Sequence, residues 1–487
     1  MPLFSRRYIA PLVYLSNNWI SLSGVVVVTT TTVFWLFLLP YMLRGQISHP
    51  YIGILIFIVL PTVFFSGLLL IPAGIILRRR RERRKGLTPA SFPPLNWQNR
   101  NFRRLVTFIG ITTILNLAIA SQLSYGAVNY MDSTTFCGLT CHRVMDPEYT
   151  GHENSPHARV DCVACHIGPG ASWFVRSKLA GTNQVFAVLF DTYPRPIPAP
   201  IASLRPARET CEVCHWPQRF EADRLQVLSQ YAEDAANTPT KTVLLMKVGG
   251  GNPGAGIHGA HVGRGVHIRY AYSDPSRQTI PWVEYTDANG HSTVYKVPDA
   301  KATPEGMTVR EMDCIDCHNR PTHSFELPDR ALNEALAAGS IPASLPFIKK
   351  QALEIIQRPY ASKNEAAQKI PSAIEAFYRG SYPDLYRQHQ AQISKAAQGV
   401  LAVYNRNVFP NMKVTWGTYP NNIGHNDFPG CFRCHDGNHA AEDGKSVTQD
   451  CSACHNLLAV EESNPKILSD LGIESGDGDG GAVSSVQ

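Results

Sequence analysis

Apolar positions crowd into the first quarter of the chain. No charged residue occurs between Arg7 and Arg44, a second charge-free stretch runs from Tyr51 to Leu77, and a third runs from Leu105 to about Tyr130. Each supplies the roughly 20 residues a helix needs to cross a hydrocarbon core. Membrane helices are therefore predicted over about 20–43, 51–77 and 105–127. A cleaved export signal fits the first stretch poorly, because the run is too long and lacks a small-residue cleavage site. A core helix of a soluble protein would keep a polar face, and these stretches have almost none.

The pattern changes beyond residue 131. Residues 132–220 are polar, with little periodicity. Short alternating runs at Thr242–Val248, Val266–Tyr272, Pro281–Tyr285 and Ser292–Val297 read as strands, the last two joined by the turn signal Asp287-Ala-Asn-Gly290. Residues 329–407 carry periodic Leu, Ile and Ala and read as helices broken at Pro342, Pro346, Pro371 and Pro383. The Gly- and Asp-rich end reads as disordered. The expected division is an anchor over 1–131, a first polar domain over 132–220, a β-rich insertion over 221–310, a helical region over 311–460 and a tail over 461–487.

Charge orients the anchor. The run Arg78–Lys85 holds seven positive charges and one negative, as much as the net +6 of the whole chain, so the basic balance points to no nucleic-acid partner. With Arg100, Arg103 and Arg104 it marks the connection between spans two and three as cytoplasmic. The amino terminus, with Arg6 and Arg7, then lies inside, and the chain leaves span three outward.

The twelve cysteines settle the chemistry expected of that outer part. Every one belongs to a pair followed directly by histidine: Cys137/Cys141-His142, Cys162/Cys165-His166, Cys211/Cys214-His215, Cys314/Cys317-His318, Cys431/Cys434-His435 and Cys451/Cys454-His455. The residue counts would give only about 0.01 Cys-x-x-Cys-His matches by chance, against the signature for covalent haem attachment. Disulfide or zinc frameworks do not require a histidine after each second cysteine. Six covalently bound haem c groups are predicted, with the cysteines forming thioethers and the motif histidines ligating iron. The first motif carries three residues between its cysteines, an insertion that a bulged loop would absorb.

A six-coordinate iron needs a second axial ligand. His157 lies five residues before Cys162, His323 five after His318, His425 six before Cys431 and His439 four after His435, so each is a candidate. The group His258, His261 and His267 supplies a further ligand, with His258 and His261 carried forward as candidates. His152, His291 and His389 read as surface or internally satisfied histidines. Met145, three residues after His142, reads either as packing or as a ligand of the first iron.

The segment Cys141-His-Arg-Val-Met-Asp-Pro-Glu-Tyr149, with Ser155-Pro-His-Ala-Arg-Val-Asp-Cys162 and the following Val-Ala-Cys-His166 to Leu179, resembles the NapC/NirT family of membrane-bound quinol dehydrogenases over about residues 105–220. The whole chain resembles inner-membrane multihaem cytochromes of metal-reducing bacteria. The resemblance implies that Met145 approaches the first iron, that His157 ligates a haem and that Lys178 lies near a quinol. Asp132, Asp146 and Glu148 flank the first motif as candidate proton acceptors. Unlike typical members with one span and four haems, this chain has three predicted spans and six motifs.

The expected fold is mainly α, with irregular haem-ordered regions, three transmembrane helices and a small β-rich insertion. The expected function is electron transfer from menaquinol or another quinol to periplasmic c-type cytochromes or reductases, at a bacterial inner membrane with the haem domain in the periplasm. The bilayer is a partner, and nucleic acid is not. Two alternatives are an electron-relay subunit beside a membrane partner that holds the quinol site, and a terminal oxyanion reductase. The latter would need an open iron position or a Cys-x-x-Cys-Lys motif, which is absent.

Overall fold

The computed structural model describes residues 14–43 except 17, 58–86, and parts of 107–140. It also describes 142–473, apart from breaks at 169, 202–204, 220–221, 251 and 302–303. Two compact units result, Met1–His142 and Arg143–Gln487.

The first unit contains α1 (Trp19–Leu43) packed against α2 (Leu60–Arg84). Glycine lets the two backbones approach: a Cβ on Gly67 would stand 2.8 Å from Val27 Cγ1, and one on Gly24 would stand 2.7 Å from the Gly67 carbonyl. The Ser21 hydroxyl donates across the pair to the Ile71 carbonyl at 2.9 Å. Among the described residues α2 is the one helix long and apolar enough to cross a membrane. The described apolar side chains of α1 cover the shorter stretch Trp19–Thr32. The expected third span, 105–127, lies largely outside the described residues. The three-span expectation therefore reduces here to a single candidate span. That helix also runs past the expected end at 77 through Arg84, because arginine is a good helix former and cations favour a helix C-terminus.

The second unit opens with four helices: α3 (His142–Glu153, of which His142 falls in the first unit), α4 (Cys162–His166), α5 (Ala171–Leu189) and α6 (Ala207–Cys211). Strands β1 (Arg224–Tyr231) and β2 (Pro239–Met246) follow, then α7 (Gly256–Val262) and strands β3 (His267–Tyr272), β4 (Trp282–Thr286), β5 (Ser292–Lys296) and β6 (Thr308–Glu311). The fourth motif forms α8 (Cys314–Cys317). A bundle follows: α9 (Pro328–Ala337), α10 (Ile348–Ile356), α11 (Lys363–Ser381), α12 (Pro383–Gln388) and α13 (Gln390–Asn407). Strand β7 (His455–Glu462) and α14 (Lys466–Asp470) end the described chain.

Antiparallel pairing gives a four-stranded sheet in the order β5-β4-β3-β6 and a three-stranded sheet in the order β1-β2-β7. The Asp287–Gly290 turn closes β4 onto β5, with Gly290 at φ +85° and its N–H donating to the Asp287 carbonyl at 3.0 Å. The second sheet joins residues 224–246 to a strand that starts inside the sixth motif, so the region read as an insertion shares its sheet with the end of the chain. The segment read as a tail also contributes structure, because Leu468 of α14 packs against Val243 and Ala459.

The largest apolar core lies inside the bundle, where Leu332, Ile348, Ile356, Ile370, Ile374, Ala396 and Val400 are fully buried. Pro371 was expected to end a helix but sits within continuous α11. Proline forfeits one backbone hydrogen bond there, while Ile370 and Ile374 on either side anchor the helix in the core. Asn237, in the β1–β2 turn, donates to the Ala343 and Leu345 carbonyls at 2.8 Å and accepts from Lys349 N at 2.9 Å. This ties the small sheet to the bundle.

Glu326 enters the bundle beside Glu334 and Arg406. Burial, reinforced by Glu334, pushes its carboxyl up to about 7 from 4.5. The folded state then keeps a proton that the unfolded chain releases, so stability from this group is full below about pH 4.5 and is lost as pH rises toward about 7. Glu326→Gln removes this dependence. In detergent-solubilised protein its Tm is expected to rise relative to the unsubstituted chain between about pH 5 and about pH 7; a constant difference would contradict the assignment.

Candidate haem centres

The cysteine-histidine motifs lie on short helical turns rather than in the bundle core. The extra residue of the first motif is taken up by a π-helical turn, Phe136–Thr140, which admits one more residue per turn than an α-helix. The side chains of Cys141 and His142 lie outside the described residues, as does that of Lys178. Met145 is half-buried in α3.

The other five motif histidines each face a second histidine. Ring centroids are 6.2 Å apart for His166 and His323, 5.9 Å for His215 and His157, and 6.2 Å for His318 and His258. They are 5.9 Å apart for His435 and His261, and 6.2 Å for His455 and His425. Two imidazoles on opposite sides of one metal, each at about 2 Å from nitrogen to metal, have centroids about 6 Å apart. The five separations fit axial ligation of a haem iron.

The rings are also turned for that role. Nδ1 of His157 meets the Pro321 carbonyl at 3.3 Å, His261 the Ile257 carbonyl at 2.7 Å, His323 the Glu148 carbonyl at 2.9 Å and His435 the Thr448 carbonyl at 2.7 Å. With Nδ1–H donating to a carbonyl, Nε2 is left as the lone-pair nitrogen that binds metal. Burial lowers the pKa of His166, His258, His261 and His318, and takes that of His323 down to about 3 with help from Arg320. These imidazoles are held neutral, the ligating form.

No group of three His, Cys, Asp or Glu side chains among the described residues converges on a metal-sized point. In motif three Cys214 is exposed, whereas Cys211 is half-buried. The reason is local. The N–H groups of Cys214 and His215 both donate to the Cys211 carbonyl, at 3.1 and 2.8 Å, forming a tight turn whose neighbours Val213 and Trp216 are themselves exposed. Cys165, Cys431 and Cys451 are exposed as well, while Cys137, Cys162, Cys314, Cys317, Cys434 and Cys454 are half-buried.

His439 stands apart from the facing pairs. It is buried, its Nδ1 meets Asp436 at 2.9 Å and its Nε2 meets the Ile280 carbonyl at 2.7 Å. With both ring nitrogens engaged, it serves the β-sheet core, contrary to the axial role expected from its spacing. His267 is exposed and pairs with Glu311 at 2.8 Å. Neighbouring His258 and His261 are brought to motif histidines because α7 places residues three apart on one face. His152 is buried, with Nε2 at 2.9 Å from the Val160 carbonyl, whereas His291 and His389 are exposed.

The carboxylates flanking the first motif differ in setting. Asp146 is paired with Lys363 of α11 at 3.1 Å. Glu148 is half-buried, and desolvation raises its pKa against the pull of Arg320. Asp132 lies in the first unit, half-buried.

Sequence reasoning missed Asp316, inside the fourth motif. It is buried at 3% exposure and accepts from the Tyr270 hydroxyl at 2.6 Å, Arg277 at 3.1 Å, Arg310 at 3.0 Å and the Asp313 N–H at 2.7 Å. One carboxylate thus fastens motif four to β3, β6 and the loop after β3. A carboxylate between two cysteines carries no sequence signal that it is buried. Asp316→Ala strands two partly buried guanidinium groups, and it is expected to cost about 3–5 kcal/mol in a denaturant series on the detergent-solubilised protein. A loss under about 1 kcal/mol, the usual worth of an exposed pair, would contradict this role.

A sequence model of the NapC/NirT cytochrome c family, N-terminal region, matches residues 99–196. Among known proteins, the cytochrome c-type protein ImcH of Geobacter sulfurreducens is 41% identical over 454 residues, covering 92% of this chain and 89% of that protein. No solved structure matches.

Proposed function

The chain belongs to the NapC/NirT-type multihaem c-type cytochromes, and from that premise we propose that it carries six covalent haems outside the cytoplasmic membrane and passes electrons from quinol to periplasmic redox partners. The observation that carries this reading is the set of five facing histidine pairs.

Each cysteine pair holds its haem by thioethers. Sites two to six would be held by His166/His323, His215/His157, His318/His258, His435/His261 and His455/His425. Site one takes His142, with Met145 as its candidate partner. Haem bound in this way supplies one-electron exchange between ferric and ferrous iron. Two imidazoles per iron leave no open coordination position, which favours electron transfer over reduction of a small oxyanion at those five sites. Helices α1 and α2 and the stretch 105–127 anchor the chain.

Quinol oxidation releases two electrons and two protons, so the entry site must act twice per quinol and pass protons to nearby acceptors. Lys178, beyond the second motif, is proposed to hold a quinol oxygen, with Asp132 and Asp146 as proton acceptors. The ion pair with Lys363 orients the Asp146 carboxylate.

Mass spectrometry of the mature chain is expected to give the polypeptide plus six haem masses; a smaller number removes that many sites. In proteoliposomes a reduced menaquinol analogue is expected to reduce the haem absorption band. If the band stays oxidised, the quinol site belongs to a partner and the chain is a relay. Lys178→Ala is expected to raise the KM for the quinol analogue by about tenfold or more, the worth of a charge-assisted hydrogen bond, at unchanged haem content. An unchanged KM would place Lys178 outside the site.

A further inference from the structure

The histidine pairs also determine which sites are neighbours, because each second histidine belongs to a segment tied to another motif. His323, just past motif four, serves motif two, and His157, just before motif two, serves motif three. His425, just before motif five, serves motif six. His258 and His261, on one face of α7, serve motifs four and five together.

Polar contacts add to this map. Helix α6, which ends at Cys211 of motif three, packs against α8 of motif four. Ala207 N, at the start of α6, donates to Asp313 Oδ2 at 2.8 Å beside motif four. Arg433, inside motif five, donates to the Asp316 carbonyl inside motif four at 2.6 Å. Motif four thus touches motifs two, three and five. Among the facing histidines, motifs five and six connect to the earlier motifs through α7, which also serves motif four; strand β7, which begins at motif six, pairs with β2, a strand that carries no motif.

We infer that site four is an obligatory junction: an electron entering at sites one to three reaches sites five and six only by residing on site four. The inference rests on the axial pairs proposed above, and it does not depend on which molecule supplies the electron. In each transfer one electron leaves the donor site, whose iron goes from ferrous to ferric, and reduces site four from ferric to ferrous. The next transfer reverses this at site four and reduces site five. No bond forms or breaks, and no proton moves.

The junction also explains why motif four is braced so heavily. Asp316 binds it to two strands and a loop, Asn422 donates to the Asp316 carbonyl at 3.1 Å, and Asn319 donates to the Pro420 carbonyl at 2.8 Å. A relay that lies on every path has to hold its position against all of its neighbours.

The test uses the full-length holoprotein in detergent. A ruthenium photosensitiser attached at Arg159→Cys, an exposed position between His157 and motif two, injects one electron without any quinol. His425→Met marks site six, because methionine ligation raises its potential and makes it an optically distinct electron trap. In this background, prompt reduction of site six is expected after the flash. Adding His258→Ala is expected to abolish that reduction while sites two and three still accept the electron. Adding His323→Ala instead is expected to preserve it, since site three still touches site four. If His258→Ala yields no holoprotein, His258→Met keeps six ligands and raises the potential of site four, so the electron is expected to stop there. Site six reduced as promptly with either His258 substitution as without it overturns the inference. Because the electron comes from the photosensitiser, failure of the quinol reading leaves this outcome unaffected.

Discussion

Two imidazoles held with their ring centroids about 6 Å apart, a gap the size of one metal ion, are the constraint that shapes the second unit. An axial pair tolerates little error in ring position, and each ring must offer the correct nitrogen. The fold meets both demands with backbone carbonyls: those of Pro321, Ile257, Glu148 and Thr448 each fix an Nδ1 proton. Two of the four carbonyls, those of Pro321 and Glu148, lie 164 and 175 residues from the ring they orient. The ligand geometry therefore depends on tertiary structure as a whole, and no single motif could secure it alone.

This dependence explains the division of labour within the unit. The segments that carry the motifs are short turns with little apolar core of their own. The bundle of residues 328–407 supplies the packed interior, with side chains such as Ile348, Ile370 and Val400 removed from solvent. Polar ties then bring the motif segments to that scaffold: Lys363 to Asp146, Asn407 to the Glu326 N–H at 2.8 Å, and the Asn237 side chain to α10. Side chains in or next to motifs, such as Val213, Cys214, Trp216 and Phe432, are exposed.

Much of this was legible in the chain because its chemistry is local. Five residues of spacing mark a thioether site and its first axial ligand, and 20 uncharged residues mark a membrane helix. What the spacing could not show was partnership. His157, His323 and His425 each lie close to one motif in sequence yet face the histidine of another. His439 has the same kind of spacing but is turned into the β-sheet core by Asp436 and the Ile280 carbonyl. Nor could spacing separate the half-buried Cys211 from the exposed Cys214 three residues on. Helix α7 was hidden because glycine-rich sequence lowers helix propensity, although the i, i+3 spacing of His258 and His261 was a usable signal. Strand β7 begins at a motif histidine, and its pairing with β2 spans more than 200 residues, a distance over which local pattern carries no information. Pro371 shows core packing overriding a helix-breaking residue.

The pairing of imidazoles across each iron is the claim on which the electron path rests, and magnetic circular dichroism of the oxidised holoprotein in the near infrared reads it directly. Low-spin iron with two histidines gives a charge-transfer band distinct from that of iron with histidine and methionine or with one open position. Five sites in the first class are expected, with the remaining site outside it. A spectrum dominated by high-spin or histidine–methionine iron would contradict the account.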